Sequence, residues 1–456
     1  MLGSGPGADK LESMKAFVPV RETNRTFLVG RLLLPAGAGL LFLLSACGQP
    51  ERLAYDDEGR KRVEIWVHSG QVGERETIRE QVEAFNEGQD AIRVTKTMIP
   101  EGDYNARVQA AALSGDLPDL LEFDGPFLYN YVWQGHLMPI DDLLSEEVRR
   151  DLLQSILEQG TYDGELYAVG VFDSGLGLYA DRRGLEAVGA RVPSGVDDAW
   201  SVEEFEAILA ELFEASGGDP NLDLKVNYTG EWYCYAFSPI LQSAGADLID
   251  RETYATAEGV LNGPDAVRAM THLQSWFQYG YVHPNIDDAA FVGREAVLSW
   301  SGHWDYDRYA NALGEDLLVL PLPDFGEGSR TGQGSWTWGI TRHAHHPEAA
   351  MRFLEFLLEP GEVLRMTEAN GAVPARRAAI EQSGGFAEDG PLRLFVEQLE
   401  TSAVPRPRTP AYPVITSVFE SGFQDIRDGA EVKEVLDRMV RVIDQDIEDN
   451  RGYPRR

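Results

Sequence analysis

The sequence predicts an α/β protein of two domains, on three observations. Strand-like and helix-like hydrophobic periodicities alternate from Val63 onward. Hydrophobic residues make up 43% of the chain, enough to build real cores. The chain is 456 residues long, more than one core of ordinary size serves.

The elements follow in order. Val63-Glu64-Ile65-Trp66-Val67 reads as a strand, and His68-Ser69-Gly70-Gln71 as the turn after it. A helix over about 75–86 puts Ile78, Val82 and Phe85 on one face and stops at Gly88. Residues 92–95 form the next strand, 104–113 a helix ended by Ser114-Gly115, and 120–123 a third strand. Strands joined by helical crossovers imply a parallel sheet. Further on, 176–179 is a strand, and Ser201-Val202-Glu203-Glu204 is a capping box. The helix it opens carries the stripe Phe205, Ile208, Leu209 and Leu212. Residues 265–279 form a helix with Val267, Met270, Leu273 and Phe277 inward. Pro347 opens another, which stops before Pro360, and a last helix spans about 430–449.

Net charge is −35, which argues against nucleic acid and against adsorption to anionic lipid. Six lysines stand against 34 arginines, so the acidity reads as a solvated surface rather than a site. Cys47 and Cys234 are the only cysteines. Cys234, between Tyr233 and Tyr235, reads as a small packed residue. His343-Ala344-His345-His346 lies where polar residues are expected between a strand and a Pro-started helix, so no metal site is assigned. No nucleophile elbow, phosphate-binding glycine loop or HExxH motif is visible, and neither a cofactor nor an enzymatic activity is expected.

Arg21, Arg25 and Arg31 precede the apolar run that ends at Leu44. A basic region, a short apolar stretch and small residues before a cut site make a secretory signal. Pro35, Gly37 and Gly39 break the run, which is too short to span a bilayer. Leu44-Ser45-Ala46-Cys47 resembles the lipobox of bacterial lipoproteins. That resemblance implies cleavage before Cys47, acylation of its thiol and a soluble body tethered to a membrane surface. Residues 1–46 are then the signal, and 47–62 the lipidated cysteine and linker. Met14-Lys15 is an alternative start.

Seven segments in order resemble the extracellular solute-binding proteins of ABC importers, in the carbohydrate-binding, maltose-binding-protein-like group. They are Ser114-Gly115-Asp116-Leu117-Pro118-Asp119-Leu120, Gly135-His136-Leu137-Met138-Pro139-Ile140, and Asp163-Gly164-Glu165-Leu166-Tyr167-Ala168-Val169. Leu178-Tyr179-Ala180-Asp181, Ala199-Trp200-Ser201-Val202-Glu203-Glu204-Phe205, Ser301-Gly302-His303-Trp304-Asp305 and Gly371-Ala372-Val373-Pro374-Ala375-Arg376 complete them. The resemblance implies a two-lobe, periplasmic-binding-protein type II fold. The N-lobe would combine 60–171 with 335–384, and the other lobe 172–332 with 385–456. Hinge crossings are expected near Val171-Phe172-Asp173 and Gly332-Gln333-Gly334, where glycine tolerates a hinge's φ/ψ change.

A sugar offers flat C–H faces and a hydroxyl rim, which call for aromatic plates and planar polar groups. Gln71 and Asp124 follow strands one and three, where open α/β sheets hold ligands. The resemblance places Asp173 where a hinge acid contacts sugar, Trp304 at a stacking position, and Tyr233 and Tyr235 in an aromatic contact segment with Trp232. Read as alternating, that segment turns some of its rings to the cleft. Trp336 follows the second crossing, and alternation turns Trp338 away. Arg408 and Tyr412 lie, with Arg406, in a stretch that resembles one common in this group. These readings imply a monomeric receptor that captures a di- or oligosaccharide and delivers it to ABC permease subunits. The alternatives are a receptor for a glycerol phosphate ester or polyol, and a carbohydrate-active or sensor lipoprotein of the same fold.

Overall fold

The structure is a computed structural model that describes residues 54–454; Cys47 and the leader lie outside them. Two sheets organise the chain. In the first, β1 (Lys61–His68) pairs in parallel with β2 (Ile92–Ile99) along its whole length and with β3 (Leu120–Asp124) at Ile65 and Trp66. Val63, Ile65 and Val67 share one core with Ile78, Val82 and Phe85 of α1 (Val72–Glu87). Trp66 faces the opposite core, with Tyr104 and Val108 of α2 (Glu101–Ser114). The period of two along β1 thus places a helix on each face. The strand Trp336–Ile340 then adds antiparallel to β3, with Trp336 opposite Asp124.

The second sheet runs in the order Leu317–Leu320, Leu176–Asp181, Leu298–Gly302, Leu222–Asp223. Leu176–Asp181 is antiparallel to both neighbours, so neither sheet is uniformly parallel as the strand–helix alternation suggested. The alternation rule applies to consecutive crossovers, and these strands arrive after longer excursions. The Ser201 cap forms, its hydroxyl accepting the Glu204 N–H at 3.2 Å. Pro360 does more than follow a helix, since it opens Pro360–Asn370. Pro413 likewise sits in the first turn of Tyr412–Arg427, a helix the periodicity analysis missed. In Pro264–Gln278 the buried face is Ala266, Ala269, Met270, Leu273 and Trp276; Val267 and Phe277 flank it half-buried.

Two short ribbons join the sheets. Phe172–Asp173 pairs with Val373–Pro374, and Thr331–Gln333 pairs with Ala403–Pro405. The Leu176 N–H donates to Thr331 Oγ1 at 2.7 Å, tying one passage to the other. The glycines here answer to space and backbone geometry. A Cβ on Gly332 would lie 2.7 Å from the Tyr235 carbonyl oxygen, and Gly334 holds φ at +132°.

Candidate ligand cleft

A cleft of about 810 Å³ opens between the two sheets. Its first wall comes from the C-terminal ends of β1 and β3 and the starts of α1 and α2: His68, Gln71, Glu74, Glu101, Asn105 and Asp124. Its second wall comes from Tyr228 to Trp232, Tyr235, His303-Trp304 and the helix Tyr412–Arg427. Trp336 stands on the first wall beside His68, and Phe172, Ser174, Gly334 and Ser335 line the floor between the walls.

Aromatic plates stand on both walls. Trp336 stacks face to face on His68, with centroids 3.8 Å apart and planes 7° from parallel. Trp304 meets Trp232 edge-on at 6.1 Å and lies tilted to Tyr235 at 6.3 Å. The Trp304 ring folds back over the end of its own strand. A Cβ on Gly302 would sit 2.1 Å from that ring, so only glycine leaves room for this pose. Behind it, Asp305 accepts the Ser301 hydroxyl at 2.6 Å and lies 4.0 Å from the buried Lys225 ammonium.

Charge gathers at the cleft floor. The Arg406 guanidinium donates to Asp124 through Nη1 at 2.7 Å and Nη2 at 2.6 Å, and to Glu231 Oε1 at 2.6 Å. It also lies over the Tyr235 ring, 4.8 Å from the centroid. Glu231 further accepts the Tyr412 hydroxyl, and the Thr416 hydroxyl at 2.7 Å. Burial pushes the Glu231 carboxyl up, Arg406 pulls it down, and Asp124 across the shared guanidinium pushes it up again. The Arg406 pKa is held above its ordinary value: burial works against the charge, and the two carboxylates more than offset it. On the first wall, His68 Nδ1 lies 2.8 Å from Glu122 Oε2 and Nε2 lies 4.0 Å from Glu74. Burial alone would lower the His68 pKa, but Glu122, Glu74 and Glu101 raise it to about 9. Its imidazole is therefore charged at neutral pH.

Five of the nine expected ligand residues line the cleft: Gln71, Asp124, Tyr235, Trp304 and Trp336. The other four do not. Asp173 is buried beneath the floor, where it accepts the Gln333 amide at 3.2 Å and the Ser174 N–H at 2.9 Å. It ties one connecting ribbon to the other, and its neighbour Ser174 reaches the cleft instead. Tyr233 points away because Trp232, Tyr233 and Tyr235 lie on the helix Glu231–Ser243, not on an extended segment. At helical spacing Trp232 and Tyr235 share a face, while Tyr233 packs on Phe423 at 4.9 Å. Arg408 is half-buried outside the cleft, 3.5 Å from Glu158. Tyr412 is fully buried, holding Glu231 from behind and meeting Phe127 edge-on at 5.5 Å.

Sequence reasoning assigned no role to His68, Glu101 or Glu231. The strand-end rule that selected Gln71 and Asp124 also covers His68, the last residue of β1. Glu231 carried no such signal, because its place depends on where the helix Glu231–Ser243 docks.

Two α/β lobes, two connecting ribbons and an aromatic cleft between the lobes define a binding protein that captures a ligand between its halves. The profile of the bacterial extracellular solute-binding protein family matches residues 80–392, and the chain belongs to that family. It is therefore an extracytoplasmic binding protein and not an enzyme. The maltodextrin-binding protein MdxE of Bacillus subtilis is 21% identical over 434 residues, covering 91% of this chain and 96% of its own. Two solved structures share the fold. The cyclic α-maltosyl-1,6-maltose binding protein of Arthrobacter globiformis has a TM-score of 0.70 at 21% identity, covering 86% of this chain and 100% of that one. The GacH receptor of Streptomyces glaucescens, solved unliganded and with acarbose, has a TM-score of 0.73 at 20% identity, covering 86% and 99%.

Proposed function

We propose that this chain is the sugar receptor of an ABC importer, anchored through Cys47, which takes a di- or oligosaccharide between its lobes and presents it to the permease. The observation that carries the sugar is the pair of facing aromatic walls, Trp304 with Trp232 and Tyr235 on one side and Trp336 on the other. Planar plates on both sides suit the two apolar faces of a pyranose ring, and Gln71, Asn105 and Asp124 suit its hydroxyls. The maltodextrin-binding relative supports the same class. Contact with both walls makes ligand affinity depend on closure, so binding shifts the population toward the closed form.

The geometry disfavours a phosphate ester. The Arg406 charge is already shared by two carboxylates, and Arg408 stands outside the cleft beside Glu158. Against a panel of neutral sugars, at least one is expected to raise the melting temperature saturably and change tryptophan fluorescence. Trp304→Ala is expected to weaken that sugar by about 30-fold or more, corresponding to loss of a contact worth about 2 kcal/mol. If instead glycerol phosphodiesters alone shift the melt, the sugar reading is wrong.

The anchor rests on Leu44-Ser45-Ala46-Cys47. No described helix is long and apolar enough to cross a membrane. Cells expressing the full gene are expected to hold the protein in the membrane fraction, and Cys47→Ser is expected to release it. Retention of Cys47→Ser in the membrane would count against acylation there.

A further inference from the structure

The polar lining of the cleft is unbalanced. Glu74, Glu101, Asp124, Glu231 and Glu420 line it, against His68 and Arg406 as the only cationic side chains among the described lining residues. Both cations are already engaged, Arg406 by Asp124 and Glu231, and His68 by Glu122 outside the lining. Of the remaining carboxylates, Glu74 accepts the Gln71 N–H at 2.7 Å and the Asn370 amide at 3.0 Å. Glu420 accepts the Gly230 N–H at 2.9 Å.

Glu101 differs. It begins α2 on the first wall, its side chain is open to the cleft, and it has no hydrogen-bond or ion-pair partner among the described residues. Crowding by the cleft wall raises its pKa; His68 pulls it down, and the neighbouring Asp124 and Glu74 push it up again. A carboxylate held among like charges gains most from a cation brought by the ligand.

We propose that the ligand is a sugar bearing a protonated amine, with its ammonium group seated against Glu101. This rests on the sugar-receptor reading above and narrows it to amino sugars. A neutral sugar leaves Glu101 without a partner, and an anionic one adds to the repulsion.

The test is calorimetry on the full chain in detergent with matched probes. Trehalose and cellobiose are each compared with their 2-amino and N-acetylamino forms, at about pH 6.5 and low salt, where a sugar amine is protonated. In at least one series the amine form is expected to bind about tenfold more tightly than both the hydroxyl parent and the N-acetyl form. That lead is expected to shrink in about 0.5 M salt and to fall below about twofold in Glu101→Gln. The melting temperature of Glu101→Gln checks that it folds, and Glu101→Lys is expected to invert the preference. Equal or tighter binding of the hydroxyl or N-acetyl form overturns the amine while leaving the sugar receptor intact. An amine preference that survives Glu101→Gln overturns the role of Glu101. Absence of binding by every form, with no response to the wider neutral panel, removes the sugar reading as well.

Discussion

Arg406→Met is expected to lower the unfolding free energy by about 3–5 kcal/mol, the usual cost of breaking a buried charge network from one side. Arg406 is 5% exposed and, among the described residues, is the only cation that Asp124 and Glu231 contact at hydrogen-bond distance. Its removal leaves two carboxylates facing each other with little water to screen them. Asp124 ends a strand of the first sheet and Glu231 begins a helix of the second lobe, so the same change also loosens the two walls of the cleft. Lysine is no substitute, because it cannot reproduce the two-pronged contact to Asp124. The control is a triple variant, Arg406→Met with Asp124→Asn and Glu231→Gln. It removes the stranded charges and is expected to recover most of the loss. Urea unfolding at constant slope measures both. A single variant that costs under about 1 kcal/mol, or a triple no better than the single, would show that the network is not what holds the floor together.

Raising the pH from about 6.5 to beyond 9 is expected to destabilise the protein, with His68 as a main source. Its pKa is raised in the folded protein to about 9, above the ordinary 6.5. The charged form therefore stabilises the fold fully below pH 6.5, and that contribution is lost as pH rises through 9. A shift of this size corresponds to roughly 3 kcal/mol. The groups facing the ring are Glu122 at 2.8 Å, Glu74 at 4.0 Å and, further off, Glu101, with Trp336 stacked on its face. Glu231, also raised, loses stability in the same direction as pH rises from 4.5, so the difference between wild type and His68→Gln isolates the imidazole. That difference is expected to shrink across this window. The His68 ring resonances should titrate near 9, and a midpoint at or below 6.5 would contradict the charged stack.

The sequence was most legible where one periodicity governed one element. The run Val63 to Val67 was read as a strand and forms β1, and the strand-end rule located Gln71 and Asp124 on the cleft. Alternation also separated Trp336, which faces the cleft, from Trp338, which is buried in the first core. It misled at Tyr233, because an aromatic run of Trp232, Tyr233 and Tyr235 suits a strand or a buried helix equally well. Helical geometry pairs residue 232 with 235 and sends 233 behind them. Arg406 and Arg408 lie two apart in a proline-flanked segment without periodicity, so nothing local decides which enters the cleft.

By itself the sequence determined the α/β class, the order of the main elements and the abundance of aromatic and acidic side chains. These depend on spacing between near neighbours, which a single chain displays directly. Only the tertiary structure decided which acids meet. Asp124, Glu231 and Arg406 come from three segments spread over 282 residues, and their convergence depends on how two ribbons set one sheet against the other. It also buried Asp173 between the two ribbons, against Gln333, and left Glu101 open on the wall. A carboxylate's role depends on its partners and its access to water, and both are properties of the packed molecule.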